Sequence, residues 1–230
     1  MKTSTVVATI IQTSLVLAGS LRAQTPTGLY VGSHMDIWQA GGYSDGSDGV
    51  PPAVYTFPAA PGQIIRFARV KGSWTCSNGV PEYGPDGTTT GPCNNPGTPH
   101  HINPTGPFSG FNTTDFTGAL VGMFLEDTLP GVAPPTLTFY VSDSSQGGIQ
   151  TDFPGLRPRI GQVFFIGDGL TGTGTGSAQV FVVPPTATHL YLGFVDGCGD
   201  DVPPGCYSDN AGAVATIFLL QTLPQLQGLN

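Results

Sequence analysis

The sequence predicts an all-β protein built as an antiparallel β-sandwich of the jelly-roll type. Glycine (34 residues) and proline (22 residues) are abundant, yet 39% of the residues are hydrophobic and only 10% are charged. Such a chain is too apolar to stay disordered and too rich in turn formers to be helical. Short runs of β-branched and aromatic residues recur between turn signals, and no capped helical pattern follows the N-terminal segment. A sandwich of this kind carries its functional residues on end loops.

The first 23 residues have the layout of a secretory signal peptide. Lys2 precedes an apolar run from Val6 to Leu17, and the small residue Ala23 closes the segment. The apolar run is too short, and too often interrupted by polar residues, for a transmembrane helix. We therefore predict a signal peptide at 1–23 and one secreted domain at 24–230, with an inserted segment around 126–161.

Acidic residues outnumber basic residues, 15 to 7. Removing Lys2 and Arg22 with the signal peptide leaves 15 acidic and 5 basic residues, so the net charge is 5 − 15 = −10. A surface of this sign repels phosphate backbones and anionic lipids. We predict no nucleic-acid partner and no membrane span, while the sequence leaves a homo-oligomer open.

Candidate strands follow one another along the chain. They cover Gly28–Trp38, Val54–Phe57, Gln63–Val70, Phe116–Leu125, Leu137–Val141, Gln162–Ile166, Ala178–Val182, His189–Val195 and Ala213–Leu219. Residues 77–117 are a long excursion rich in Pro, Gly, Asn and Thr, of a length that is usually functional. The inserted segment is expected to add a hairpin to the sandwich, and the Gly/Thr run after Ile166 is expected to be a hairpin tip.

The last two strands flank an acidic loop. Asp196, Asp200, Asp201, Asp209 and Asn210 fall within fifteen positions. So many like charges on one connection repel each other unless a cation lies among them, and calcium is the ion that carboxylate, amide and carbonyl oxygens suit best. The alternative is that these residues only solvate a turn.

Two motifs match enzyme signatures in letters alone. Residues 42–46 fit G-x-S-x-G around Ser44, but glycine and proline follow where a nucleophile elbow needs a helix. Residues 167–172 fit G-x-G-x-x-G, and again no helix follows. We predict that the protein is not an enzyme.

Four cysteines in a secreted chain indicate two disulfides, with three pairings possible. The simplest joins Cys76 to Cys93 and Cys198 to Cys206. This pairing would close the excursion after residue 76 and the acidic loop.

Several stretches, in order, resemble the PA-IL type (LecA-like) calcium-dependent lectins. They are Gly72-Ser73-Trp74 with Tyr83-Gly84-Pro85-Asp86-Gly87, Gly118-Ala119-Leu120-Val121-Gly122, the hairpin from Phe165 to Thr186, and Pro204-Gly205-Cys206-Tyr207-Ser208-Asp209-Asn210-Ala211-Gly212. The similarity covers about residues 55–122 and 163–220. It implies a β-sandwich whose loops 74–103 and 196–212 meet at one end to bind calcium and a galactose-type sugar.

The resemblance also implies site residues. Calcium would be bound by the side chains of Asp196, Asp209 and Asn210 and by the backbone carbonyls of Tyr83 and Cys206. Open positions on the ion would accept two sugar hydroxyls, so that Tyr83, Asp196 and Asp209 also form the carbohydrate site. One of His100 and His101 would donate to a sugar hydroxyl; as neighbours in an extended segment they point in opposite directions, which is poor geometry for zinc.

Other features of the resemblance leave alternatives open. Cys206 stands where the family has a threonine, Asp209 where asparagine is usual, and the longer interval before Cys206 allows Asp201 to replace Asp196 as the ligand. Trp74 and Tyr207 are candidate walls for the sugar, although a buried core position is the preferred interpretation of Trp74. The second function that fits is a non-catalytic extracellular structural protein in which calcium stabilises a loop and no sugar binds.

Overall fold

The computed structural model describes residues 25–80, 82–90, 93, 100–145 and 147–223, which form an all-β fold. The predicted signal peptide lies outside the described residues. The strands are β1 (Thr27–Gly32), β2 (Ala53–Thr56), β3 (Gln63–Thr75), β4 (His100–Ile102), β5 (Phe111–Thr113), β6 (Leu120–Leu125), β7 (Leu137–Tyr140), β8 (Ile149–Gln150), β9 (Gly155–Leu156), β10 (Val163–Phe165), β11 (Leu170–Gly172), β12 (Thr175–Ala178), β13 (Val180–Val182), β14 (His189–Phe194) and β15 (Ala211–Thr222). Two 3-10 helices span Ile37–Gly42 and Tyr207–Asp209.

Two sheets form the sandwich. The first sheet has five strands in the order β1-β15-β3-β13-β9, and the second has four in the order β10-β6-β14-β2. A side sheet, β4-β5-β7-β8, and the hairpin β11-β12 complete the described strands. The predicted all-β class, with antiparallel sheets as its main component, is confirmed.

The core lies between the two sheets and is largely aromatic. On β15, the alternate residues Val214, Thr216 and Phe218 face inward, as the period of two in a strand requires, and a β-bulge beside Ile217 and Phe218 shifts this alternation on β3. Phe181 of the first sheet packs on Phe164 of the second, with ring centroids 5.4 Å apart, and Trp74 packs on Phe194 in the same way at 5.5 Å. These rings hold the sheets together and fix the end of the sandwich where Trp74 lies.

The chain departs from the predicted elements in two places. The first strand ends at Gly32 instead of Trp38, because Asp36 accepts a hydrogen bond from the Trp38 amide and caps a 3-10 turn. The insertion is not a hairpin: β7 pairs parallel with β5 and β8, and β9 pairs parallel with β13. Pro154 and Pro158 flank β9 and remove amides from the ladder, which confines β9 to the sheet edge.

Among the described residues, no helix is long and apolar enough to cross a membrane.

Trp74 is buried against a glycine that leaves room for its ring. A Cβ at Gly118, whose φ is +56°, would lie 2.0 Å from Cη2 of Trp74. The Trp74 indole N–H donates to the Gly84 carbonyl at 2.9 Å. The close approach of Gly118 therefore lets one indole ring tie β3, the 84–87 turn and the segment before β6 together.

We expect Gly118→Ala to lower the free energy of unfolding by about 2–4 kcal/mol, since it adds both a steric clash and a strained positive φ. Gly42→Ala is the matched control, because Gly42 has a φ of +77° and open space around its Cα. It should cost only about 1–2 kcal/mol. Urea denaturation of both variants measures the difference, and equal losses would show that Trp74 is not tightly packed against Gly118.

Candidate functional site

The loop that follows β14 meets the side sheet at one end of the sandwich. Ile102 and Val202 form a parallel bridge, in which the Asn103 amide donates to the Val202 carbonyl at 2.8 Å. The Asn103 side chain donates to the Asp201 carbonyl at 2.9 Å. The loop at 196–206 is thus joined to β4 of the side sheet by one bridge, and the segment around residue 100 is held against it.

Both predicted disulfides are present. Cys76 is bonded to Cys93, and Cys198 is bonded to Cys206. The local pairing is therefore confirmed, and it indicates maturation in an oxidising environment. The second bond closes the acidic loop over eight positions, so that Cys206 and the residues after it are tied to the end of β14.

Several buried side-chain oxygens have no hydrogen-bond partner in the described structure, and three of them lie in the segments that follow β14 and precede β15. They are Oδ2 of Asp196, Oδ1 of Asp209 and Oδ1 of Asn210, and together we name them the oxygen cluster. Asp196 lies two residues beyond the end of β14, whereas Asp209 and Asn210 immediately precede β15 in the other sheet. Asp196 is 6% exposed and Asn210 is 3% exposed. Polar oxygens buried in this way destabilise the fold unless something donates to them or coordinates them.

The electrostatics of the oxygen cluster favour a positive partner. Burial raises the pKa of the Asp196 carboxyl to about 7, and the charges of Asp209 and Asp48 act in the same direction. The Gly197 amide and the Asn210 side chain oppose this rise. The Gly197 amide donates to Asp196 Oδ1 at 2.7 Å, which leaves Oδ2 as the free oxygen. A divalent cation would supply the charge that these contacts do not.

The segment 33–50 holds the cluster in place from the other end of the chain. Asp48 accepts hydrogen bonds from the amides of Tyr207 and Ser208 at 2.8 and 3.1 Å, so it caps the second 3-10 helix. A hydrogen bond with the Ser208 side chain is the largest cause that lowers the pKa of Asp48, desolvation opposes it, and the two amides add to the lowering. The cap therefore carries its negative charge and fixes the turn from which Asp209 and Asn210 project.

Tyr207 connects this segment to Asp196. Its hydroxyl lies 3.2 Å from Oδ1 of Asp36 and from the Phe194 carbonyl, and it accepts from the Asp196 amide at 3.2 Å. Asp36 is fully buried, and burial together with the neighbouring Asp45 raises its pKa to about 7. Tyr207 is also fully buried. One phenol thus links the backbone at Asp196 to the 36–48 segment.

The Asn210 side chain is oriented by Ser33, which follows β1. Its side-chain amide donates to the Ser33 carbonyl at 3.1 Å, while the Ser33 amide and hydroxyl both donate to the Gly212 carbonyl. The carboxamide nitrogen has a second N–H, and the Asn210 side chain lowers the pKa of Asp196, whereas the carboxamide oxygen has no partner in the described structure.

Asp196 and Asp201, the two alternatives for the first carboxylate ligand, lie in different surroundings. Asp196 is buried near Asp209, whereas the Asp201 side chain is 78% exposed and lies beside His101. Of the remaining predicted ligands, Cys206 belongs to the same turn as the cluster and is left-handed, with φ of 61°. Tyr83 lies across Trp74 from Gly212, and its carbonyl accepts from the Trp74 amide at 2.9 Å. No hydrogen bond among the described residues joins Tyr83 to the cluster.

The two histidines lie on opposite faces of β4, as an extended strand requires. His100 is buried, with Nδ1 unpartnered in the described structure, and burial lowers its pKa. The backbone of Gly197 and Gly199 is within hydrogen-bonding reach of its ring. His101 faces outward, and its Nδ1 lies 3.4 Å from Oδ1 of Asp200. Both rings therefore adjoin the acidic loop, and the neutral His100 is the one nearer Asp196 along that loop.

The predicted sugar wall from aromatic residues is wrong. Trp74 is 1% exposed and Tyr207 is 0% exposed. Trp74 takes the core position that was its preferred interpretation, and Tyr207 is enclosed because Asp36 and Phe194 hydrogen-bond its hydroxyl. Neither ring has a face available to a ligand.

Sequence reasoning missed the contribution of Asp36, Asp48 and Ser33. The signal was present, since Asp36, Asp45 and Asp48 occur among serines and glycines, but the pattern predicted a strand at Ser33 and Asp36 and an ordinary loop at Asp48. The close packing of this segment requires a glycine at position 49. A Cβ at Gly49 would lie 2.6 Å from Cβ of Asp36 and 3.1 Å from the Tyr207 ring. Only glycine lets the segment pack this closely.

Among the described residues, no group of three or more His, Cys, Asp or Glu side chains is arranged to hold a metal ion. The oxygen cluster contains two carboxylates and one amide, so a cation there would depend on amide and backbone oxygens as well. No family model matches the sequence, and no curated protein or solved structure similar to it is found.

The raised pKa of Asp196 predicts how stability depends on pH without a cation. The pKa of Asp196 in the folded chain, about 7, exceeds the ordinary value of an aspartate, 3.8. The folded chain therefore binds a proton that the unfolded chain does not, and stability falls as pH rises from about 4 to about 7. Between about pH 5 and pH 7.5, in chelator, the wild type should lose about 2–3 kcal/mol more than Asp196→Asn. Denaturation curves at the two pH values measure this, and parallel losses would contradict it.

Proposed function

We propose that the protein is a secreted, calcium-dependent carbohydrate-binding protein, whose site is centred on the oxygen cluster. The observation that carries the proposal is the burial of three oxygens without partners, on two segments that flank one closed loop. The resemblance of the sequence to the LecA-like lectins supports the same position. The predicted signal peptide and the two disulfides support export.

Calcium fits the donor set better than other common ions. It accepts six to eight oxygen ligands, tolerates irregular geometry and binds amide and carbonyl oxygens readily. Asp196 and Asp209 together carry the charge that neutralises a divalent ion, and Asn210 adds a neutral oxygen that Ser33 has already oriented. The carbonyls of Cys206 and Tyr83 are the proposed backbone ligands. The absence of clustered Cys and His side chains among the described residues argues against a zinc-type donor set.

A bound calcium would give the site its chemistry for sugars. An ion with five protein ligands keeps positions for two neighbouring hydroxyls, and their fixed spacing selects a vicinal diol. Asp196 and Asp209 are placed to accept hydrogen bonds from the same hydroxyls, and Tyr83, His100 and His101 are the proposed further contacts. Because the 36–48 segment already holds the loop, little conformational entropy remains to be lost on binding.

A second function is favoured by one observation. The Cys206 side chain is consumed by the disulfide, so it cannot give a sugar the hydroxyl contact that a threonine at this place would give. The alternative is an extracellular structural protein in which calcium stabilises the loop and no glycan binds. A galactose-type ligand belongs to the first function only.

The test is a glycan-binding assay on the oxidised protein in calcium and in EDTA. We expect galactosides to be retained only in calcium. Asp196→Asn should abolish retention, because it removes a buried ligand charge from the ion while keeping the side-chain shape.

Asp201→Asn is the matched control, since it makes the same chemical change in the same loop at an exposed position that the cluster does not use. It should bind like the wild type. Calcium-dependent stabilisation without retention of any glycan would replace the lectin proposal with the structural alternative, and glycan retention in EDTA would contradict both.

A further inference from the structure

Three of the five basic residues that follow the predicted signal peptide lie on one sheet. β3 carries Arg66, Arg69 and Lys71, and the five strands of the first sheet contain no Asp or Glu. The whole sequence has 15 acidic residues and 7 basic ones. A protein with this excess of negative charge therefore presents one sheet on which only positive charge occurs.

Strand register places two of these cations on the outward face with specific neighbours. Tyr30, Ala215 and Lys71 lie side by side on β1, β15 and β3, and Gly28, Ile217 and Arg69 form the adjacent row. Residues directly opposite each other in a sheet share a face. All six are exposed, whereas Val31 and Val214, which follow the other parity, are buried in the core. This face is therefore open to solvent.

The rows form a shallow trough along β15. Its floor is Ala213, Ala215 and the partly exposed Ile217, one wall is Tyr30, and the other wall is Arg69 with Lys71. The walls stand two strand spacings apart, or about 10 Å between Cα atoms. Arg69 and Lys71 are two residues apart, so their charges repeat about every 7 Å along the wall. Tyr30 is 69% exposed, so its ring has a free surface.

The charges on this wall are not neutralised by the protein. Among the described residues, the ion pairs involve only His101 and His189, so Arg69 and Lys71 have no carboxylate partner. Arg66 donates instead to the neutral Gln221 side chain. An incoming anion would therefore not have to displace an internal partner.

We propose that this trough binds an anionic polysaccharide, with a sugar ring on Tyr30 and its carboxylate or sulfate groups on Arg69 and Lys71. An aromatic ring packs against the apolar face of a sugar, while exposed cations pair with its acidic substituents. The trough is wide enough for one extended chain and too shallow to enclose a small molecule. Three cations in a strongly acidic protein are too few to hold a nucleic acid, whose binding depends on neutralising many phosphates. The proposal does not involve the oxygen cluster.

The experiment measures binding of fluorescent oligogalacturonate and of sulfated dextran oligosaccharide to the oxidised protein, at low ionic strength and in EDTA. Neutral dextran and single-stranded DNA of equal charge are run alongside. We expect one or both acidic sugars to bind, neutral dextran not to bind, and added salt to weaken the complex. Which acidic sugar binds distinguishes a carboxylate from a sulfate ligand. Arg69→Gln with Lys71→Gln should weaken binding by about tenfold or more.

The control is Arg157→Gln with Arg159→Gln, which removes the same charge from residues just beyond β9, on the far side of the sheet from β15. It should leave affinity within about twofold, and Tyr30→Ser should weaken acidic-sugar binding. No binding of either acidic sugar, equal losses in the two double variants, or DNA binding as tight as sugar binding would each overturn the proposal. Because EDTA is present throughout, an absence of acidic-sugar binding would not contradict the proposed calcium site. An absence of calcium binding would likewise not contradict the proposed trough.

Discussion

The rest of the site depends on one unfavourable feature, a carboxylate buried beside another carboxylate with an oxygen left unpaired. Asp196 is 6% exposed, and its Oδ2 has no partner among the described residues. Desolvation of this kind is among the most expensive arrangements in a protein interior, and it persists only where the surroundings impose it. Here the surroundings are the Cys198–Cys206 bond, the Asp48 cap and the Tyr207 hydroxyl, which together hold the loop around Asp196.

The residues that hold the oxygen cluster in place come from opposite ends of the chain. Ser33, Asp36 and Asp48 follow the first strand, and they hold residues 207–212, about 160–180 positions later. The contacts are hydrogen bonds to backbone groups and to one buried phenol, so they fix geometry without filling the cluster. This division explains how the cluster stays ordered while its oxygens remain free. These contacts also place the site at the end of the sandwich, whereas Arg69 and Lys71 lie on the outward face of the first sheet.

The sequence predicted the fold class and both disulfides, because each depends on local signals. Strands follow from the alternation of residues, and the local cysteine pairing follows from short spacing. The role of Asp36 and Asp48 could not be predicted, since a loop aspartate that caps a turn 160 residues away has the same local sequence as one that solvates a turn. Parallel pairing of the insertion was missed for a related reason: pairing partners far apart in sequence leave no periodic signal in either strand. The burial of Tyr207 likewise depends on Asp36, which only the fold brings near.

The central claim is that the oxygen cluster is a cation site, and the most direct test counts protons released when calcium binds. Calorimetric titration at about pH 6, in two buffers of different ionisation enthalpy, gives that number. Because the Asp196 carboxyl, with its pKa of about 7, must ionise to bind the metal, one calcium per chain should release close to one proton. Asp196→Asn should release none and bind far more weakly. The absence of calcium binding, or calcium binding that Asp196→Asn leaves unchanged, would contradict the account.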